Sequence, residues 1–193
     1  MTEQSSRAVI PAIDCEHETQ RIVEAVRRHV GQSFRKRGVV LGLSGGIDSS
    51  VTAALCVRAL GPERVFGLLT PERESSDDSS TLAFLLAAQL GIQTCHEDIS
   101  PILEAAGCYR RRDEAVASVV PSFGPGYTCK LSLPPFGGSR YRLYSIVVRA
   151  PSGETTTKRL PHQAYLAVVA ATNFKQRARK MMEYYHADRL NYA

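Results

Sequence analysis

The chain has 193 residues, of which 44% are hydrophobic and 22% charged, and its 24 Lys and Arg outnumber 19 Asp and Glu to leave a formal net charge of +5. That length suits one domain able to bury a sizeable core, and no apolar run approaches the length needed to span a bilayer. The opening Met1 to Ser6 lacks the basic and apolar regions of a secretory signal, and five cysteines without a CxxC pair read as reduced thiols, so a cytoplasmic location without a membrane partner is expected. The mild positive excess suits an anionic small substrate as readily as nucleic acid.

From Glu18 to about Phe34 the apolar residues Ile22, Val23, Val26, Val30 and Phe34 recur at three and four, which predicts an amphipathic helix after an N-terminal extension, residues 1–17. Val39 to Leu43 has the β-branched, apolar character of a strand buried on both faces. A glycine-rich turn follows, and Val51 to Leu60 reads as a helix stopped by Gly61-Pro62. Arg64 to Leu69 predicts a second buried strand, Ser75 to Leu90 a helix opened by capping and acidic residues, and Ile92 to Ile99 a third strand. This alternation predicts an α/β fold with a doubly wound parallel sheet and flanking helices. Ligands of such sheets lie beyond the carboxyl ends of the strands, where Ser44 and Thr70 to Glu74 both fall.

A short helix at Ile102 to Ala105 and a basic one from about Tyr109 come next, before Pro/Gly-rich loops at Pro121 to Gly126 and Pro134 to Gly138. Tyr141 to Val148 and Thr155 to Lys158 flank the turn Pro151-Ser152-Gly153-Glu154 and predict a small β-hairpin within an excursion from the sheet, residues 127–160. His162 to Leu190 reads as one long helix, or two broken near Thr172-Asn173. On it Asn173, Arg177, Met181 and Tyr184 share one face, with Lys175, Arg179, Met182 and His186 on a neighbouring one.

The turn Ser44-Gly45-Gly46-Ile47-Asp48-Ser49-Ser50 carries the most chemistry. Its glycines let a ligand approach the backbone, and the unpaired N–H groups and dipole of the following helix favour an anion there. No lysine follows Gly45-Gly46, which excludes the GxxxxGK[ST] loop, and Gly42, Gly45 and Gly46 have the wrong spacing for GxGxxG. The string SGGIDSS resembles instead the pyrophosphate loop of the N-type ATP pyrophosphatases, which cut ATP between its α and β phosphates. Thr172-Asn173-Phe174-Lys175-Gln176-Arg177-Ala178-Arg179-Lys180-Met181-Met182-Glu183-Tyr184 is similar to the N-x-K-x-R-x-R-M-x-x-x-Y helix of one branch of that superfamily, the NAD synthetases.

The resemblance implies a Rossmann-like ATP pyrophosphatase domain over residues 18–193. It implies ammonia-dependent NAD synthesis, in which nicotinic acid adenine dinucleotide is adenylylated by ATP and then amidated, with no protein nucleophile or base. It assigns Gly42, Leu43, Ser44, Gly45, Gly46, Ile47, Asp48, Ser49 and Ser50 to ATP, Asp48 to Mg²⁺, and Arg177, with Asn173 and Tyr184, to the deamido-dinucleotide. Free ammonia, a homodimer and no nucleic-acid partner are implied as well. Family members continue past this helix with a strand and a G-T-x-x-x-x-E segment carrying a second magnesium ligand, whereas this sequence ends at Asn191-Tyr192-Ala193. The residues therefore also admit a non-catalytic nucleotide-binding or dimerisation module, or another amidating or tRNA-modifying pyrophosphatase.

Overall fold

The computed structural model describes residues 13–132 and 144–193, with the backbone alone at Asp77. The chain forms two units, one of residues 1–69, 75–96 and 183–193, the other of residues 70–74 and 97–182.

In the first unit, helix α1 (Cys15–Arg27) starts three residues before the apolar periodicity does, because the Asp14 carboxylate caps it by accepting from the Glu16 and His17 amides. It continues as a π-helical turn, Arg28–Ser33, closed by the Phe34 N–H donating to the His29 carbonyl at 2.8 Å. Strands β1 (Val39–Gly42), β2 (Val65–Leu69) and β3 (Gln93–His96) form a parallel sheet in that order, with Val39 opposite Val65 and Phe66 opposite Gln93. β3 is shorter than the sequence implies, since its pairing with β2 stops where Leu69 meets His96.

Helices α2 (Ile47–Leu60) and α3 (Asp77–Leu90) provide the crossovers. Gly91, at φ 69°, closes α3 in the left-handed conformation that glycine adopts without steric cost. Val23, Val30, Leu41, Ala53, Val65, Leu69 and Ala83 form one buried cluster. A fully buried Val or Leu contributes roughly 1.5–3 kcal/mol, so this cluster dominates the stability of the unit. On the edge of β1 away from β2, the Ala193 N–H donates to the Gly38 carbonyl and the Val40 N–H to the Ala193 carbonyl.

The second unit contains α4 (Ser100–Ala105), α5 (Cys108–Ala117) and an antiparallel sheet of β4 (Thr128–Ser132), β5 (Ser145–Arg149) and β6 (Thr155–Arg159). The expected hairpin is β5 and β6, while β4 is an additional strand that was not expected, although Cys129 and Leu131 alternate with Thr128, Lys130 and Ser132 and pack against the core. The expected residues Tyr141 to Leu143 and the loop Pro134 to Gly138 lie outside the described residues. Ile146 and Val148 point inward and pack with Val116, Val120, Leu160, Ala164 and Val168. Helix α6 is continuous over His162–Leu190, with no break at Thr172-Asn173, and supplies residues through Met182 to this unit and those from Glu183 to the first. No helix among the described residues is long and apolar enough to cross a membrane.

Candidate functional site

The loop between β1 and α2 is shaped by its own serines. The Ser44 amide donates to Ser49 Oγ at 3.3 Å, the two hydroxyls lie 3.1 Å apart, and the Gly46 amide donates to Ser44 Oγ at 3.3 Å. The Ser49 and Ser50 hydroxyls both donate to the Gly46 carbonyl at 2.9 Å. Leu43 anchors the loop from below, buried and donating its N–H to the Leu68 carbonyl at 2.8 Å.

Gly45 is required by its surroundings, and Gly42 lies close to a side chain. Gly45 has φ +73°, and a Cβ there would lie 2.4 Å from the Ser79 carbonyl oxygen of α3. At Gly42 a Cβ would meet Glu183 Oε1 at 2.8 Å. The chain therefore passes close to the backbone of α3 at Gly45, which demands a residue without a side chain, and close to the flexible end of the Glu183 side chain at Gly42.

Gly46 is the N-cap of α2 and has no side chain with which to satisfy the helix's first N–H groups. Those donors, in a helix of 14 residues, face an exposed loop and are available to an anion. Asp48 stands exposed in the same first turn. Gly42 to Ser50 thus form one stretch of amides and hydroxyls that includes the Asp48 carboxylate, with the Glu183 carboxylate beside Gly42. An exposed carboxylate such as Asp48 fits Mg²⁺, which keeps several waters and takes its remaining ligands from substrate phosphates.

The residues expected to hold the dinucleotide are on α6. Asn173, Arg177 and Tyr184 are all exposed, along with Met181, and so share an outward face as their spacing requires. Asn173 and Arg177 belong to the second unit and Tyr184 to the first. The neighbouring face is turned inward: the Lys175 side chain is 13% exposed and His186 is buried, its Nδ1 accepting from Arg189 Nε at 2.9 Å.

Lys175 leads to a charged cluster within the second unit that sequence reasoning missed. Its ammonium bridges Glu72 at 3.1 Å and Glu74 at 2.6 Å. Glu72 is buried and also accepts from the hydroxyl of Tyr109, 2.7 Å away and itself 1% exposed. Arg112 donates to Glu74, and the Arg73 guanidinium lies 3.6 Å over the Tyr109 ring. Burial alone would raise the Glu74 carboxyl, but hydrogen bonds from Arg112 and Lys175, with their charges, hold it below the ordinary carboxylate range. Burial and the Glu72 hydrogen bond push the Tyr109 phenol well above its usual value, so it stays a donor. The only signal in the sequence was the charge density of Pro71-Glu72-Arg73-Glu74, which names no partner.

A family model described as NAD synthase matches residues 18–118, just over half the chain. The chain belongs to the NAD synthase family. Two relatives named NH(3)-dependent NAD(+) synthetase bear this out, one from Mesorhizobium japonicum, 54% identical over 183 residues, and one from Rhizobium rhizogenes, 48% identical over 182. Each alignment covers 94% of this chain, and 57% and 55% of the respective relative, so the chain spans just over half the length of these NAD synthetases. An NH3-dependent NAD synthetase structure from Campylobacter jejuni superposes with a TM-score of 0.59 at 24% identity, covering 94% of this chain and 55% of that one; this likeness is one of fold. The expected Rossmann-like architecture is thereby established, together with the antiparallel sheet added to it.

Proposed function

We propose that this chain carries the ATP-handling part of an ammonia-dependent NAD synthase, in which the carboxylate of nicotinic acid adenine dinucleotide attacks the α-phosphate of ATP, pyrophosphate leaves, and ammonia displaces AMP to give NAD. The observation that carries the reading is the Gly42 to Ser50 loop, which combines amides, hydroxyls and an uncapped helix N-terminus with a backbone too close to α3 for a side chain at Gly45. Family membership supports it, as does the name shared by relatives at 48–54% identity.

Such chemistry needs placement and charge neutralisation from the protein, not a nucleophile. The α2 amides and the Ser44 and Ser49 hydroxyls can donate to phosphate oxygens. Asp48 would hold Mg²⁺, which when bound offsets the negative charge of the polyphosphate. Arg177, exposed and with a forked guanidinium, fits an anionic group of the dinucleotide, with Asn173 donating beside it and Tyr184 offering a flat face to a heterocycle. The outward apolar and aromatic residues of α6, Met181 at 64% and Tyr184 at 70% exposure, favour a homodimer contact on that face. Five free thiols fit a reducing cytoplasm.

The test mixes the chain with ATP, Mg²⁺, nicotinic acid adenine dinucleotide and ammonium, and follows AMP and NAD. Stoichiometric release of both supports the synthase. Calorimetric ATP binding without AMP release would leave a nucleotide-binding module in its place. Asp48→Asn should weaken ATP binding at least tenfold in the presence of Mg²⁺ and much less in its absence; equal effects in both would remove Asp48 from the metal.

A further inference from the structure

The inward seam of α6 in the second unit follows a heptad. Ala164, Val168, Ala171, Lys175, Ala178 and Met182 recur at four, three, four, three and four, which keeps them on one side of the helix. Ala164, Val168, Ala171 and Ala178 are buried and Met182 is half-buried, so Lys175 is the one charged residue of the series. Small side chains let a helix sit close to its neighbours but give it little relief to interlock with, and so fix its distance better than its rotation.

Lys175 supplies direction. Its ammonium reaches Glu72 at 3.1 Å and Glu74 at 2.6 Å, two carboxylates that are themselves held, Glu72 by the Tyr109 hydroxyl and Glu74 by Arg112. One turn further along α6, Arg179 Nε donates to the Thr70 carbonyl at 3.4 Å, at the start of the same segment. These contacts with residues 70–74 set the angle at which the helix is turned about its own axis. Stability alone does not call for a buried ion pair, since apolar residues of similar volume in its place often leave a fold as stable or more so.

Asn173 and Arg177 stand two residues before and two after Lys175, about 200° around the helix in either sense, and so project from the side opposite the ammonium. Both are exposed, as that placement requires. Their aim depends on the same angle. About 6 Å from the axis, a turn of about 30° moves a side-chain atom by about 3 Å, a full hydrogen-bond length.

We infer that Lys175 is a positioning residue for the dinucleotide: its hold on Glu72 and Glu74 sets the rotation of α6 that aims Asn173 and Arg177 at the substrate, without touching the substrate itself. The inference rests on the dinucleotide reading proposed above.

The experiment is a double-mutant cycle on the whole chain, read by calorimetric binding of nicotinic acid adenine dinucleotide and, separately, of ATP with Mg²⁺. One perturbation is Lys175→Met/Glu72→Gln, which removes the ammonium together with the charge of its most buried partner; the other is Arg177→Ala. The first should weaken the dinucleotide about tenfold and leave ATP within about twofold. Added to Arg177→Ala it should cost no more than about threefold further, the share acting through Asn173, because an absent arginine cannot be misaimed. Lys175→Arg, which keeps a cation between the carboxylates, should bind the dinucleotide within about threefold of the parent. Circular dichroism verifies that every variant folds, and binding is measured well below the lowest melting temperature of the set. A side chain that merely stabilised the fold would weaken both ligands and act equally in either background. Unchanged dinucleotide affinity, the full tenfold loss in the Arg177→Ala background, equal weakening of ATP, or no recovery with Lys175→Arg would each overturn the inference while leaving the dinucleotide reading intact. Parent-like dinucleotide binding by Arg177→Ala, or a parent with no saturable binding, would remove the dinucleotide from this face, and the inference with it.

Discussion

Replacing Lys175 with methionine tests whether the Glu72, Glu74 and Tyr109 cluster behaves as a buried charge network. Methionine keeps the length and apolar body of the stem and removes the ammonium. At an effective dielectric of about 20, unit charges about 3 Å apart attract by roughly 5 kcal/mol, much of which offsets the cost of drying the ammonium. The larger effect is what is left behind. Glu72, with a side chain only 6% exposed, keeps the Tyr109 hydroxyl and the Glu74 amide but loses the Lys175 ammonium, whereas Glu74 retains Arg112. Removing one partner of a buried pair costs about 3–5 kcal/mol, and the surviving hydrogen bonds place this case near 3. The chain has no tryptophan, so the assay is urea unfolding followed by circular dichroism, with hydrogen exchange of the α5 amides as a local probe. The double variant Lys175→Met/Glu72→Gln should recover part of the loss, because it removes the buried carboxylate's charge together with the ammonium's. A loss below about 1 kcal/mol, the size typical of exposed ion pairs, would show that water already screens the cluster and would refute this reasoning.

Gly45→Ala should destabilise the fold by at least about 2 kcal/mol in thermal melts and abolish ATP binding, since φ +73° is strained for alanine and its methyl would press on the backbone of α3; a shift in melting temperature under 2 °C would contradict the loop geometry. Glu74 is held below its ordinary value in the folded chain, so its stabilising contribution is complete above the unfolded carboxyl value of 4.5 and is lost as pH falls through the lower folded value. Urea midpoints should therefore fall more steeply below about pH 4.5 in the parent than in Glu74→Gln, and parallel profiles would count against the assignment. Arg177→Ala should weaken the deamido-dinucleotide at least tenfold in calorimetry and leave ATP affinity within about twofold, because its side chain is exposed and far along the sequence from the loop; loss of both would assign it a structural role.

Local chemistry was legible wherever it is written in consecutive residues. The parallel sheet, the loop from Gly42 to Ser50 and the outward stripe of Asn173, Arg177 and Tyr184 follow from apolar runs, a run of small residues and a helical period, each of which depends only on near neighbours along the chain. Strand β4 was not expected, because five residues with only two apolar positions, Cys129 and Leu131, give a weak signal until pairing with β5 completes it. Asp14 displaced the start of α1 for a similar reason, its carboxylate outweighing an apolar pattern that begins later.

What the amino-acid order determined by itself is the glycine- and serine-rich turn that joins β1 to α2, since an apolar run, small residues and a helix start are all local signals. Only the tertiary structure decided why Gly45 has to be glycine, what lies against Gly42 and what Lys175 does. Ser79 approaches Gly45 from 34 residues away and Glu183 approaches Gly42 from 141, while Glu72, Tyr109 and Lys175 are scattered over more than a hundred residues. Contacts at that separation depend on how the elements pack, and a carboxylate's burial or a side chain's clearance exists only once they have packed.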